Sequence, residues 1–370
     1  MVAVIVVILL FAGMFLLILF RVWSPGRPTA VRDDDAGLVP GAVSEKTRVE
    51  INGIEQGMFI RGRRPSNPVL LFLHGGPGMP EYFLDRTHPT GLEQVFTVCW
   101  WEQRGAGLSY RAARSATPIT VEQLINDTLA VTDYLRHRFD VPKIYLMGRS
   151  WGSFIGNHAA ARAPQRYHAY IGVGQICRQL PSEAEAYAYL VEELPRRGHT
   201  RLARKLAAAP PPTAVPLSKA YLRLRDPAMH QLGVGTTRDM RSAVTGVFLQ
   251  VWRTPAYTIH EKINLWRGKW SPWSTALWNE MLAADLVTTI PRLQVPVHLF
   301  HGRHDRTCSY LQAKAYCDQL VAPVKGFYTF PNSAHSPVFE EPAHSRFLLL
   351  TDVLHATAEH SDTGTMTPTN

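Results

Sequence analysis

The chain has 370 residues, 46% apolar, 10% aromatic and 19% charged, which is enough apolar material for a packed core and excludes disorder over the whole length. Lys and Arg outnumber Asp and Glu by 39 to 30, a net charge of +9. No basic run is interleaved with aromatics and no helix-turn-helix or zinc spacing occurs, so the charge points to an anionic membrane surface rather than to nucleic acid. Cys99, Cys177, Cys308 and Cys317 show no Cys-x-x-Cys or Cys/His spacing, which excludes a disulfide framework and a zinc site and suits burial or a reducing compartment.

From Val2 to Phe20 every residue is apolar or Gly. At about 1.5 Å per residue such a helix spans roughly 28 Å, close to the hydrocarbon thickness of a bilayer. No Lys or Arg precedes the run and it ends in Phe20-Arg21-Val22-Trp23, without the small-residue cleavage site of a secretory signal. Residues 1–21 are therefore expected to form a single-pass signal anchor, with membrane lipid as a partner. Arg21, Arg27 and Arg32 follow it, and the positive-inside rule places the large domain on the cytoplasmic side, the extracytoplasmic side being the other orientation. Residues 22–44, rich in Pro, Gly and Asp, read as a tether.

The soluble fold is expected from Glu45. Runs at Arg48–Ile51 and Ile54–Ile60 flank Asn52-Gly53, a pair suited to a two-residue hairpin. Short, strongly apolar runs follow at 69–73, 95–101, 143–147, 170–173, 297–300 and 327–330, as buried parallel strands require. Helical patterns lie between them, notably at 121–139 and 152–163, so a mostly parallel, doubly wound α/β sheet is expected. Residues 178–291 break the rhythm with helix-like segments, Pro210–Pro212, and Trp252, Trp266, Trp270, Trp273 and Trp278. This stretch reads as a helical cap inserted between two parts of the sheet domain, 45–177 and 292–357. The tryptophans suit core packing, a substrate pocket or lipid contact, and Arg196, Arg197, Arg201, Arg204 and Lys205 a solvated helix face or anionic lipid. The tail, 358–370, reads as flexible.

Gly148-Arg149-Ser150-Trp151-Gly152 follows one predicted strand and opens a predicted helix. In such a strand–turn–helix the turn is sharp and strained, and it lifts the Ser150 hydroxyl above the sheet as a nucleophile. His74-Gly75-Gly76-Pro77-Gly78 follows another strand, where glycines free a backbone N–H. The N–H groups of Gly76 and Trp151 are the expected oxyanion donors, with His74 as a structural hydrogen-bonding residue. The chain order Ser, acid, His then selects Asp305, in the loop after 297–300, over Asp285 and Asp318, and His335, in the loop after 327–330, over the other histidines. His335 would take the proton of Ser150 and Asp305 would hold the imidazole tautomer. A Ser rather than an Asp at this turn argues acyl transfer to water.

These residues carry a resemblance. His74–Gly78, then Trp101-Glu102-Gln103-Arg104-Gly105-Ala106-Gly107, then Gly148–Gly152 resemble the proline iminopeptidase branch of the α/β-hydrolases, over roughly 45–177 and 295–354. The resemblance implies the α/β-hydrolase fold, no metal or organic cofactor, and release of an N-terminal amino acid, typically proline, from a small peptide or amino-acid amide. Two positions depart from the family pattern: Glu102 stands where Asp is usual, and Arg149 where a small residue is common. Arg104 is expected to hold its loop by pairing with an acid. The resemblance also implies a cap carboxylate for the substrate's α-amino group, among which Glu183, Glu185, Glu192, Glu193, Asp239 and Glu261 are candidates. An esterase or lipase acting on acyl esters is the alternative, and a catalytically silent ligand-binding protein the third reading.

Overall fold

The structure, a computed structural model, describes residues 13–14, 23–31, 37–112 and 118–362. Most of the expected membrane anchor lies outside the described residues, among which no helix is long and apolar enough to cross a membrane.

Eight strands form one sheet: β1 Val43–Ile51, β2 Ile54–Gly62, β3 Val69–Leu73, β4 Thr97–Trp101, β5 Ile144–Arg149, β6 Tyr167–Val173, β7 Val297–Gly302 and β8 Lys325–Phe330. Their order is β1-β2-β4-β3-β5-β6-β7-β8. The first two pairings are antiparallel and every pairing from β4 to β8 is parallel. Asn52 and Gly53 both take positive φ, 48° and 75°, the backbone a tight β1–β2 turn requires.

The apolar runs are continuous because both faces of the sheet are covered. Val69, Leu71 and Leu73 of β3 pack with helices Val121–Arg138 and Trp151–Arg162, while Leu70 and Phe72 point into a second core shared with Tyr82, Phe83, Val338 and Leu348. Successive side chains of a strand point to opposite faces, so neither set can be polar. Between β6 and β7 come helices Gln179–Arg196, Thr200–Ala207, Lys219–Leu232, Leu249–Arg253, Ile259–Lys269, Pro272–Ala283 and Leu286–Thr289. This cap has its own small core around Leu190, Leu206, Tyr221 and Met229.

Two peripheral segments differ from expectation. Within the expected tether, Ser24 and Gly26 are buried, and Gly26 N–H donates to Pro255 O at 3.0 Å. In the expected flexible tail, Asp362 N–H donates to Phe327 O and its carboxylate accepts from Thr329 N–H, both at 2.7 Å, which fastens the chain along β8. Each attachment includes a long-range backbone hydrogen bond, which Pro, Gly and Asp content does not report.

Candidate active site

Ser150 sits where β5 turns into helix Trp151–Arg162, with φ 52° and ψ −122°. A non-glycine residue in that region is strained and persists only where its surroundings over-determine it. Here its N–H donates to Val173 O at 2.9 Å and its carbonyl accepts from Ser153 N–H at 2.8 Å. A side chain on Gly152 would collide with the Leu73 carbonyl at the end of β3, and one on Gly148 with the Gly152 carbonyl. Strand and helix can approach this closely only with both glycines.

The three motifs interlock. Gln103 donates to His74 O at 3.1 Å and accepts from the Trp151 indole N–H at 2.9 Å, so one amide spans the loop after β3 and the helix after β5. His74 Nε2 accepts from Gln103 N–H at 3.1 Å, while Nδ1 faces Gly75 O at 2.8 Å. Burial drives the His74 pKa down to about 4, so the ring is neutral and acts as a brace. Glu102 accepts from Leu108 N–H and from Tyr257 OH of the cap, both at 2.5 Å, and burial raises its pKa to about 7. Arg104 pairs with Asp127 through Nε at 2.6 Å and Nη2 at 2.8 Å. Gly76 has φ 126°. Its N–H and that of Trp151, the first helical residue, donate to no other group among the described residues.

His335 Nδ1 lies 2.8 Å from Asp305 Oδ2. The other carboxylate oxygen accepts from Thr307 N–H at 2.8 Å and Cys308 N–H at 3.0 Å. Burial alone would raise the Asp305 pKa, but His335, His301 and these donors together hold it below the ordinary carboxylate range. For His335, burial lowers the pKa and outweighs the pull of Asp305, with Arg149 and Arg225 lowering it further. Its Nε2 is buried and has no hydrogen-bond partner among the described residues. An imidazole fixed on one nitrogen and unengaged on the other is poised to accept a proton from a neighbour.

Gly76, Ser150 and His335 line one cavity of about 650 Å³ between sheet and cap. Its charged lining is Glu81, Arg149, Arg225, Asp226 and Lys269. Glu81 accepts from Gly75 N–H at 3.1 Å and pairs with Arg149, whose Nη2 donates to Ser336 Oγ at 2.5 Å, beside His335. Arg149 thus ties the loop after β3 to the loop after β8, a use for the bulky residue that departs from the family pattern. Asp226 pairs with Arg225 at 2.6 Å, yet its side chain is 62% accessible because it faces the cavity. The protein walls around the cavity raise its pKa, but Arg225 overrides that and keeps it below the ordinary range.

The sequence from 68 to 342 matches the family model of the alpha/beta hydrolase fold. The chain is an α/β-hydrolase. It is 32% identical over 298 residues to probable aminopeptidase YbaC of Bacillus subtilis, covering 80% of this chain and 92% of that one. Proline iminopeptidase PfmaB of Pestalotiopsis fici is 31% identical over 116 residues, 31% of this chain and 38% of that. In fold, the proline iminopeptidase of Mycobacterium smegmatis superposes with TM-score 0.62 at 19% identity, over 84% of this chain and 98% of that.

Within this α/β-hydrolase the structure brings Ser150, His335 and Gly76 to one cavity, with Asp305 behind His335. No hydrogen bond joins Ser150 to His335, a separation common before substrate closes the geometry. The six cap acids expected from the sequence do not line that cavity. Glu183 is saturated by Arg225, Tyr221 and Gln179, Glu185 by Ser309 and Gln312, and Glu261 by Lys46 and the start of its own helix. Glu192 and Glu193 pair with Arg196, and Asp239 lies exposed. The cavity carboxylates are Glu81 and Asp226. Asp226 stands beside the arginine that binds Glu183, and only the fold distinguishes the two.

Proposed function

We propose that this hydrolase is a membrane-anchored aminopeptidase that uses Ser150, His335 and Asp305 to release an N-terminal residue, proline or a similar one, from small peptides. The observation that carries the reading is the pairing of His335 Nδ1 with Asp305 while Nε2 is unengaged at the edge of the Ser150 cavity. In this reading His335 Nε2 takes the Ser150 proton as Oγ attacks the scissile carbonyl. Asp305, already ionised, holds the tautomer and stabilises the imidazolium. The N–H groups of Gly76 and Trp151 receive the developing oxyanion, the second at a helix N-terminus whose dipole favours negative charge. The imidazolium then protonates the leaving amine, and water repeats the sequence on the acyl-enzyme.

An aminopeptidase must also hold the substrate's ammonium group. Asp226 suits that role, because its carboxylate is ionised and its oxygens are reachable from the cavity. Glu81 does not, since one oxygen is taken by Gly75 and Arg149 and the other is sealed from solvent. The ester-hydrolase reading draws on the apolar part of the lining, formed by Phe83, Leu84, Leu222, Met229 and Val247.

The deciding experiment compares a prolyl arylamide with a short-chain aryl ester on the purified protein, with Ser150→Ala as control. The proposal expects amide turnover that is lost with Ser150 and abolished by blocking the proline nitrogen. Ester turnover alone would move the assignment to an esterase. Absence of Ser150-dependent turnover of either would contradict the catalytic reading.

A further inference from the structure

The cap carries an apolar face that the chemistry above leaves unexplained. Trp23, Val244, Phe248, Ile263 and Trp270 are exposed, Trp23 at 66% and Trp270 at 71%. Phe248, Trp252, Trp266 and Trp270 form one aromatic patch. The Phe248 ring is 6.1 Å from that of Trp252 and 5.3 Å from Trp266, and Trp266 is 5.3 Å from Trp270. Ile263, Trp266 and Trp270 recur at helical spacing along and just past helix Ile259–Lys269, so they share a stripe. The chain beside Trp23 is tied to this helix, for Lys262 Nζ donates to Ser24 Oγ at 2.8 Å. Single exposed apolar residues are ordinary, whereas a contiguous aromatic patch marks a docking surface. Arg253 and Arg267 stand exposed on the same two helices.

We propose that this face of the cap lies in the headgroup layer of an anionic bilayer, with the mouth of the substrate cavity opening there. The inference rests on reading residues 2–20 as a membrane helix. Arg21, Val22 and Trp23 alone separate that run from Ser24, which is bonded to the cap. Three residues reach at most about 10 Å, so the cap cannot stand clear of the surface from which the helix emerges. The amphipathic rings of Trp favour that interfacial layer, and the flanking arginines favour anionic lipid. Trp270 belongs both to this face and to the cavity wall, where Val247, the neighbour of Phe248, also stands, so substrates drawn from the membrane surface, such as amphipathic peptides with a free amine, enter directly.

The full-length protein, reconstituted in phosphatidylglycerol/phosphatidylcholine vesicles, provides the test. The four native cysteines are buried, so Trp270→Cys can carry an environment-sensitive label. Leu311→Cys is the control, on a helix packed against β7 and β8 at the opposite edge of the sheet from β1, whose Lys46 contacts Glu261 of the aromatic helix. The proposal expects lipid-borne quencher to reduce the signal at 270 severalfold more than at 311. It also expects the difference to shrink in the Arg253→Glu, Arg267→Glu double variant. A label at 270 that stays water-exposed in protein floating with the vesicles would overturn the docking while leaving the anchor intact. A label shielded from water but not reached by the lipid quencher would also overturn it, because a protein surface would then cover the face. Protein that does not float with vesicles would overturn both the anchor and the docking, and the peptidase assay would be unaffected by either result.

Discussion

Gln103 accepts the indole N–H of Trp151 at 2.9 Å and, from the other end of the same amide, donates to the backbone oxygen of His74 at 3.1 Å. One side chain therefore sets the spacing between the loop that presents Gly76 and the helix that begins at Trp151. Gln103→Leu keeps the volume and removes both bonds, leaving a buried donor and a buried acceptor unpaired at about 1–3 kcal/mol each. The expected outcome is a lower melting temperature together with a fall in kcat that exceeds any change in KM. Thermal unfolding and steady-state kinetics of the one variant check both.

The pH–rate profile follows from His335. Burial and the two arginines lower its pKa, and in the proposed mechanism only the neutral ring accepts the Ser150 proton. Activity is thus expected at neutral pH and is expected to fall away as pH drops through a value below the ordinary histidine range of about 6.5. Arg149→Gln removes one of the cations, so the acid limb of kcat/KM is expected to move upward. A limb that stays in place contradicts the assignment.

Glu102 gives a stability prediction of definite sign. Its folded pKa is raised to about 7 from 4.5, chiefly by burial, so the folded state holds a proton that the unfolded state has released. Stability from this group is complete below pH 4.5 and declines as pH rises through 7. Glu102→Gln can still accept from Leu108 and meet Tyr257 without ionising. The variant's melting temperature is expected to gain on the parent's between pH 5 and 8, by up to about 3 kcal/mol of relative stability. Melts across that range read it directly.

Much of the sheet was legible because its causes are local. Leu70 and Leu71 must both be apolar when both faces are covered, Asn52-Gly53 names its own turn, and Gly148 and Gly152 bracket a turn that few other residues allow. Which cap acid faces the cavity was not legible. Glu183 and Asp226 lie on different helices and differ in whether Arg225 encloses them or leaves an oxygen facing the cavity, which only the packing of those helices decides. The Glu81–Arg149–Ser336 chain was hidden for the same reason, its members being 68 and 187 residues apart.

Asp226 makes the substrate class testable residue by residue. Asp226→Asn preserves shape and removes the charge. It is expected to raise KM for a prolyl arylamide at least tenfold while leaving an aryl ester without a free amine unchanged. Equal effects on the two substrates would show that Asp226 shapes the cavity rather than holding the amine.

In the proposed mechanism Ser150 is a nucleophile activated by His335 and Asp305. Its most direct test is covalent labelling with a fluorophosphonate, with the modified residue located by peptide mass spectrometry. One label per chain is expected, on Ser150, slowed by orders of magnitude in His335→Ala and in Asp305→Asn although both variants remain folded. A label on Ser153, Ser274 or Ser336, or labelling of Ser150 at an undiminished rate without His335, would contradict it.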